Sequence, residues 1–333
     1  MAQVAVPRAT RPRRLLPGVR RAVEPIREAR GFAKAMLWAG AGITGFFILI
    51  AIIAPLISPY GFDQYQADGK RFPQLAPPSH EHLWGTTVQS VDVMSRVIYG
   101  TQTELKVVIL SLAFSLLIGV PVGLISGYFG GPLDRALVLI MDALFAFPYL
   151  LLAIVIAFLL SSTVGSSVVV AAIAITVVYI PQYFRVVRNH VVSVREESYV
   201  EAARAIGAKP FTIMRKYVFF NVVQNVPVIA TLNAADAVGT LAALGFLGYG
   251  IQPSEGAEWG YDIQRAVSDT ASGIWWTGLF PGFALVLLVT GLTLLGEGLN
   301  ETINPVLRRR KIVKFELGST EGEAEAGAIS EAD

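Results

Sequence analysis

The sequence predicts an all-α membrane protein with six transmembrane helices and both termini in the cytoplasm. Of its 333 residues, 53% are hydrophobic and 16% are charged, whereas an average soluble protein carries about 25% charged residues. The apolar residues lie in charge-free runs long enough to cross about 30 Å of hydrocarbon. These observations exclude a soluble enzyme. The lack of cysteine excludes disulfides, thiolate nucleophiles and cysteine metal sites.

The charge-free runs place the six helices along the chain. The third and fourth helices share the run 143–184, which is too long for one crossing and is divided by the Ser-, Thr- and Gly-rich turn 161–167. The other helices are predicted at about residues 35–57, 105–129, 221–245 and 276–298.

The first run follows a basic N-terminus, so a signal peptide is the alternative interpretation. The apolar region of a signal peptide spans about 7 to 15 residues and ends at a small-residue cleavage site. This run is longer and ends in the Pro-rich sequence around Pro55 and Pro59. We therefore interpret it as the first transmembrane helix.

The distribution of basic residues predicts the orientation. Residues 1–34, 185–220 and 308–314, together with Arg135, hold 22 of the 27 lysine and arginine residues. Because basic residues near helix ends favour the cytoplasmic side, these segments and both termini are predicted to be cytoplasmic.

The predicted organisation has five parts. Residues 316–333 include six acidic residues and no aromatic residue, which predicts disorder. The parts are a basic cytoplasmic N-terminal segment (1–34), the first transmembrane helix (35–57), an extracytoplasmic loop (58–104), a five-helix core (105–300) containing a cytoplasmic loop at 188–220, and a cytoplasmic tail (301–333).

Two glycine patterns indicate close helix packing. Residues 40–45 match G-x-G-x-x-G, but they lie inside an apolar helix, where packing is far more common than nucleotide binding. Gly119, Gly123 and Gly127 recur every four residues and form a ridge that lets a neighbouring backbone approach.

No nucleotide or metal site of the chain's own is predicted. The sequence contains no G-x-x-x-x-G-K-[ST], so it lacks a P-loop. His80 and His82 lie two residues apart, but the sequence positions no third ligand beside them. We expect no metal and no cofactor in this chain.

Acidic residues within apolar helices are candidates for a polar pathway, because charges at membrane depth are costly. Asp142 and Glu297 lie near helix ends, where their side chains can reach the interface. Asp236 lies deepest, one turn after Asn233. Asp236 either lines a cavity or hydrogen-bonds between helices, and the sequence leaves both alternatives open.

Three prolines fall inside predicted spans. Pro121, Pro148 and Pro181 each free a backbone carbonyl and allow a kinked helix. They do not identify a substrate.

The cytoplasmic segment after the fourth span predicts a helix, a tight turn and a second helix. Residues 196–205 are mostly good helix formers, Gly207 can end that helix in the left-handed conformation, and Pro210 can start the next one. On composition alone, an ordinary amphipathic interfacial loop is the alternative interpretation.

This segment resembles a known signature. Glu201, Ala202, Ala203 and Gly207 match the EAA-x-x-x-G motif of permease subunits of binding-protein-dependent ABC importers. The wider chain, from about 35 to 311, is similar to the second, C-type permease subunit of dipeptide and oligopeptide importers. The similarity includes residues 82–86, 92–100, 141–148, 246–260 and 295–305.

The resemblance implies a type I ABC importer permease in the bacterial plasma (inner) membrane. It implies a homologous second permease as heterodimer partner, two ABC ATPases that hold ATP and Mg²⁺, and an extracytoplasmic solute-binding protein. Alternating access would import di- or oligopeptides, with ATPase motion transmitted through Glu201, Ala202, Ala203 and Gly207. By the same resemblance, this chain is a transport subunit and not an enzyme.

Three alternatives remain at this stage. The same architecture could import nickel chelates, glutathione or oligosaccharides. An ion-coupled secondary transporter would need inverted repeats or acidic relays, and only Asp236 is well placed for a relay. An intramembrane hydrolase is disfavoured because no recognisable serine-base pair is present.

Overall fold

The computed structural model describes residues 31–303, which are mostly helical. The basic segment 1–30 and the acidic tail lie outside the described residues. The helices are α1 (Gly31–Ile57), α2 (Val93–Phe129), α3 (Gly131–Ala146), α4 (Tyr149–Ser161), α5 (Ser167–Val194), α6 (Ser198–Ala205), α7 (Pro210–Ile213), α8 (Phe219–Val222), α9 (Val226–Phe246), α10 (Trp259–Ala271) and α11 (Trp276–Ile303).

A short hairpin and two irregular helical turns lie between the helices. Strands β1 (Gln66–Ala67) and β2 (Lys70–Arg71) form an antiparallel hairpin in the loop after α1. A π-helical turn (Met214–Val218) and a 3-10 turn (Val223–Asn225) lie between α7 and α9. The fifth span therefore starts at 226, after these irregular turns, and not at 221 as predicted.

The described helices are consistent with six membrane spans. Helices α1, α2, α5, α9 and α11 are each long and apolar enough to cross a bilayer, and α3 with α4 makes a sixth span if the bent pair is counted as one. This confirms the predicted fold class of six transmembrane helices. The orientation of the termini stays a prediction.

The third span is broken at a proline. Helices α3 and α4 meet at an angle of 96°. Pro148 precedes the first residue of α4, and Phe147 is extended with φ −76° and ψ 140°, the conformation that a following proline favours. By contrast, Pro121 and Pro181 lie inside the unbroken helices α2 and α5. Of the three predicted kinks, the break at Pro148 is the one that this geometry confirms.

Helix α2 begins at Val93, three turns before the predicted start at 105. Arg96 and Glu104 precede the predicted start, but the protein interior accommodates both charged side chains within the helix. Asp92 caps the helix by accepting a hydrogen bond from the Ser95 amide at 2.8 Å. With 37 residues, α2 is about 55 Å long, longer than the hydrocarbon core is thick.

The glycine ridge of α2 packs directly against α5. A Cβ atom added at Gly119 would lie 2.8 Å from the Cβ of Tyr183, and one at Gly127 would lie 2.8 Å from the carbonyl oxygen of Arg188. Atoms cannot approach this closely, so only glycine allows the observed helix separation. The predicted close approach is confirmed.

Within the other glycine pattern, Gly40 packs closely and its two neighbours do not. A Cβ at Gly40 would lie 2.7 Å from the Cα of Leu295 on α11, whereas Gly42 and Gly45 have open space around them. The packing interpretation therefore holds at the first glycine of the pattern alone.

The two histidines of the loop before α2 lie in different environments. His82 is buried, and its Nδ1 lies 3.0 Å from Asp92 Oδ1. His80 is exposed. Among residues 31–303, no group of three or more metal-ligating side chains is found.

Candidate functional site

The predicted helix, turn and helix of the cytoplasmic loop are present, and we call residues 198–213 the EAA segment. Gly207 has φ +81°, which lies in the left-handed region. The Gly207 amide donates to the Arg204 carbonyl at 2.9 Å, and the Ala208 amide donates to the Ala203 carbonyl at 3.0 Å. These are the two bonds of a Schellman motif. Pro210 then starts α7 at its first turn, as predicted.

The EAA segment has one buried and one exposed face. Val200 and Ala203 pack with Ile213 and Val218 in an apolar cluster that also contains Val191 of α5. Glu201 and Ala202 face solvent. Helix α6 starts at Ser198, two residues after the predicted start at Glu196.

Two apolar side chains beside the turn are also exposed. Ile206 is 82% exposed and Phe211 is 69% exposed. Together with Glu201 and Ala202 they form a surface with a polar and an apolar part, and we call these four residues the exposed EAA face. Sequence reasoning missed Ile206 and Phe211, although apolar residues on both sides of a turn glycine were a usable signal.

Direct contacts link the EAA segment to α2 and α5. The Arg195 Nη1 group, at the end of α5, donates to the carbonyl oxygen of Gly127 on α2 at 2.8 Å. The guanidinium of Arg204 lies 5.8 Å from the ring centre of Tyr128. A displacement of α6 therefore acts on the end of α2 through Arg204, and on α5 through the apolar cluster that Val200 shares with Val191.

The second candidate feature is a cavity of about 780 Å³ beside the break between α3 and α4. Helices α5 and α9 form most of its other walls. Asp236 lines it, together with Phe147, Tyr149, Tyr179 and Gln182. The Tyr179 hydroxyl lies 3.4 Å from Oγ1 of Thr240, one turn after Asp236.

Asp236 and Asn233 lie in different surroundings. Asp236 is exposed towards the cavity, and residues 31–303 contain no hydrogen-bond or ion-pair partner for its carboxylate. Asn233 is buried between helices, next to Tyr183 of α5. Of the two alternatives left open for Asp236, the geometry matches cavity lining.

Sequence reasoning missed several of the cavity residues. Gln182 carried a usable signal, because it is the single amide side chain in the run 143–184 and follows Pro181. Pro148, which follows Phe147, was recognisable in the sequence as a possible kink in the helix. Tyr149 and Tyr179 could not be selected, since aromatic residues are common throughout the spans.

A third feature was not anticipated from the sequence. Four buried charged side chains, Arg96, Glu104, Glu258 and Asp262, lie where α2 meets α10, and we call them the buried ionic cluster. Arg96 Nε donates to both carboxylate oxygens of Asp262, at 2.8 and 3.0 Å. Burial raises the pKa of Asp262, and the Arg96 charge opposes that rise.

Glu258 connects this cluster to the start of α10. Its carboxylate accepts hydrogen bonds from the amides of Gly260 at 2.6 Å and Tyr261 at 2.8 Å. The Glu104 carboxyl lies beside it, so ionisation of both groups would place two like charges in contact. Burial raises the pKa of Glu258 to about 7.

Comparisons with known proteins agree with the architecture. Residues 119–309 match the family described as binding-protein-dependent transport system inner membrane component. Residues 32–78 match the N-terminal transmembrane domain of oligopeptide transport permease C. A solved chain of the MetNI methionine ABC transporter, described as inward facing, has a TM-score of 0.52, covering 64% of this chain and 98% of its own length. At 22% identity, that likeness shows the fold.

Curated relatives extend the similarity over most of the chain. The dipeptide transport system permease protein DppC of Alkalihalophilus pseudofirmus is 37% identical over 292 residues, covering 86% of this chain and 92% of that protein. The glutathione transport system permease protein GsiD of Pectobacterium atrosepticum is 32% identical over 280 residues, covering 84% and 90%. The chain belongs to the family of binding-protein-dependent transport system inner membrane components and is a multi-pass permease subunit of an ABC transporter.

Proposed function

We propose that this chain is the second permease subunit of an ATP-driven importer that takes up di- or oligopeptides across the bacterial plasma (inner) membrane. Support comes from the 37% identity to a dipeptide transport permease along 86% of the chain. The cavity of about 780 Å³ lies within the size range of sites that hold small ligands.

The proposed partners are a homologous permease, two ABC ATPases and an extracytoplasmic solute-binding protein. ATP and Mg²⁺ would be held by the ATPases, so this chain would transport without hydrolysing ATP. The observation that carries the ATPase contact is the exposed EAA face, in which Ile206, Phe211 and Glu201 are all exposed. Exposed apolar side chains with a polar rim are typical of protein interaction sites.

The proposed mechanism is alternating access driven through the EAA segment. ATPase closure would displace α6. The contact of Arg204 with Tyr128, and the apolar cluster that Val200 shares with Val191, would pass that displacement to α2 and α5. Helix α5 also carries Tyr179 and Gln182 of the cavity wall. Such coupling requires contacts that differ between the two states and no catalytic group in this chain.

Glutathione is the second candidate solute. A permease named for glutathione transport is 32% identical over 84% of this chain, close to the value for the dipeptide permease. Glutathione is itself a small peptide, but its two carboxylates make it an anion at neutral pH, so a cavity that contains Asp236 suits it less well than a neutral or cationic peptide.

The test is reconstitution of the complete transporter in liposomes with its binding protein. Dipeptide added outside should stimulate ATP hydrolysis and accumulate inside, and omission of ATP should abolish uptake. Uptake that persists without ATP but collapses with the proton or sodium gradient would contradict the proposal and support an ion-coupled transporter.

A further inference from the structure

We propose that Asp236 binds a positively charged group of the transported solute, so that the membrane pathway itself selects for cationic solutes and against anionic ones. This inference rests on the proposed function and adds a selectivity that is separate from that of the binding protein. The supporting observations are the charge of the cavity, the pairing of the acidic residues around it, and the side chains that line it.

The cavity carries one formal charge. Among the described residues that line it, Asp236 is the only one with a side chain that is normally charged at neutral pH. The remaining side chains are apolar, aromatic or neutral polar. A carboxylate at membrane depth is costly unless it meets water or a cation. A solute that brings a positive charge into this cavity therefore gains more than a neutral solute does.

Neighbouring acidic residues are neutralised within the protein, in contrast to Asp236. On α3, Asp134 accepts hydrogen bonds from Arg188 at 2.5 and 2.7 Å, and Asp142 lies 2.9 Å from Arg185. Both arginines belong to α5, which also forms part of the cavity wall. Within residues 31–303, an arginine side chain thus pairs with each acidic residue of α3, and no basic side chain pairs with Asp236.

The other lining side chains suit an organic cation. Phe147, Tyr149 and Tyr179 line the same cavity as Asp236, and aromatic faces attract ammonium and guanidinium groups. Gln182 adds an amide that can donate to or accept from a peptide bond. These features point to a solute of peptide size with a free amino group or a basic side chain.

Direct binding tests the inference without reference to transport. The complete transporter in lipid nanodiscs, without binding protein, is dialysed against alanyl-lysine amide, which has two positive charges and no carboxylate, or against N-acetyl-alanine amide, which is neutral. We expect Asp236→Asn to weaken binding of the cationic probe at least about tenfold and to leave the neutral probe unchanged. Asp236→Glu should retain most of the binding.

The matched control is Glu301→Gln, which removes the same charge from α11 outside the cavity. It should bind both probes as the wild type does. Failure of the wild-type transporter to bind the cationic probe, or equal binding by Asp236→Asn, would overturn the inference.

Uptake then separates this inference from the proposed function. We compare the uptake of alanyl-lysine, alanyl-alanine and alanyl-glutamate into liposomes. For each peptide, the uptake rate of the variant is divided by that of the wild type. Because the same binding protein delivers each peptide to both permeases, the ratio removes its preference. For Asp236→Asn we expect the lowest ratio for alanyl-lysine and the highest for alanyl-glutamate, while an equal decrease for all three would show a structural role. Absence of any wild-type uptake would reject peptide import and leave the binding result to decide on Asp236.

Discussion

The EAA segment and the buried ionic cluster hold charged side chains in opposite ways. In the cluster, Arg96 pairs with Asp262, which lies 166 positions later in the sequence. Both side chains are almost completely enclosed by protein. In the EAA segment, Glu201 faces solvent, and so do the apolar side chains of Ile206 and Phe211. The cluster therefore forms its ion pair and the cap of α10 within this chain, whereas the EAA segment leaves a surface for another protein.

The comparison predicts where substitutions affect folding and where they affect assembly. Changes in the cluster should lower the stability of the subunit itself. Changes on the exposed EAA face should spare the subunit and weaken its association with the ATPases.

The largest effect is expected at the Arg96 and Asp262 pair. Arg96→Ala leaves the Asp262 carboxylate buried without its partner, which costs about 3–5 kcal/mol for a buried pair. We expect a marked loss of folded protein in detergent, measured by thermal unfolding with size-exclusion detection. The control is Arg265→Ala on the same helix α10, since Arg265 is exposed. Equal stability of the two variants would show that the pair is not important for folding.

A smaller effect is expected from pH at Glu258. Its pKa is about 7 in the folded state, against 4.5 for an ordinary glutamate, so the folded protein retains a proton that the unfolded chain releases. The free energy of unfolding should therefore fall as pH rises from about 4.5 to about 7, by roughly 2–3 kcal/mol. Thermal unfolding at a series of pH values measures this.

Glu104→Gln provides the matched variant for the pH experiment. The substitution removes the neighbouring carboxyl and supplies an amide that can donate to the Glu258 carboxylate. We expect the variant to be less sensitive to pH than the wild type over the same range. An unchanged slope would show that the two carboxyl groups do not interact.

At Gly207 the expected energy is smaller, but the functional effect is specific. Gly207→Val imposes a cost of about 1–2 kcal/mol for a β-branched residue in the left-handed conformation. That cost is conformational, because a Cβ atom at this position would meet no atom within 4 Å outside the adjacent residues. We expect normal membrane insertion, with reduced ATPase association and reduced transport. Co-purification with the ATPases and peptide uptake measure the two effects.

Three further variants sharpen this result. Glu201→Lys should also reduce association, because it reverses a charge on the exposed EAA face. Gly207→Asn should retain function, since asparagine tolerates the left-handed conformation, and Lys209→Ala should matter little. Full transport by both Gly207→Val and Glu201→Lys, with ATPases bound, would contradict the assignment of this segment.

Reporter fusions perturb the protein least and test the sidedness that the comparison assumes. Fusions after Arg195 and Lys311 should report the cytoplasm, and fusions after Ala76 and Glu258 the opposite side, as the distribution of basic residues requires. A reporter signal from the extracytoplasmic side after Arg195 would remove the EAA segment from contact with any ATPase.

The two regions also differ in how far the sequence could predict them. The turn at Gly207 and the helix start at Pro210 were predictable because a few consecutive residues determine a helix end. Most of the spans were likewise visible as long, mainly apolar runs. The break before Pro148 was visible as a potential kink, but its angle depends on how α4 packs against α5.

The buried ionic cluster could not be predicted from local sequence. Its partners come from α2 and α10, and nothing near Arg96 or Glu104 indicates which distant residue neutralises it. The predicted span therefore began after both residues, three turns later than α2 does. The same reason explains why the residues around Asp236 were found only partly, since five separate helices supply the cavity lining.

The contact between the glycine ridge of α2 and α5 has a mechanical consequence. Two helices in backbone contact along Gly119, Gly123 and Gly127 cannot slide or separate without losing that fit, so they behave as one stiff beam. If a beam about 55 Å long pivots by roughly 5° about its centre, its two ends swing in opposite directions by about 2 Å. The end near Gly127 and the end near Arg96 would then move in opposite directions. A displacement on one side of the membrane would therefore produce an opposite displacement on the other side.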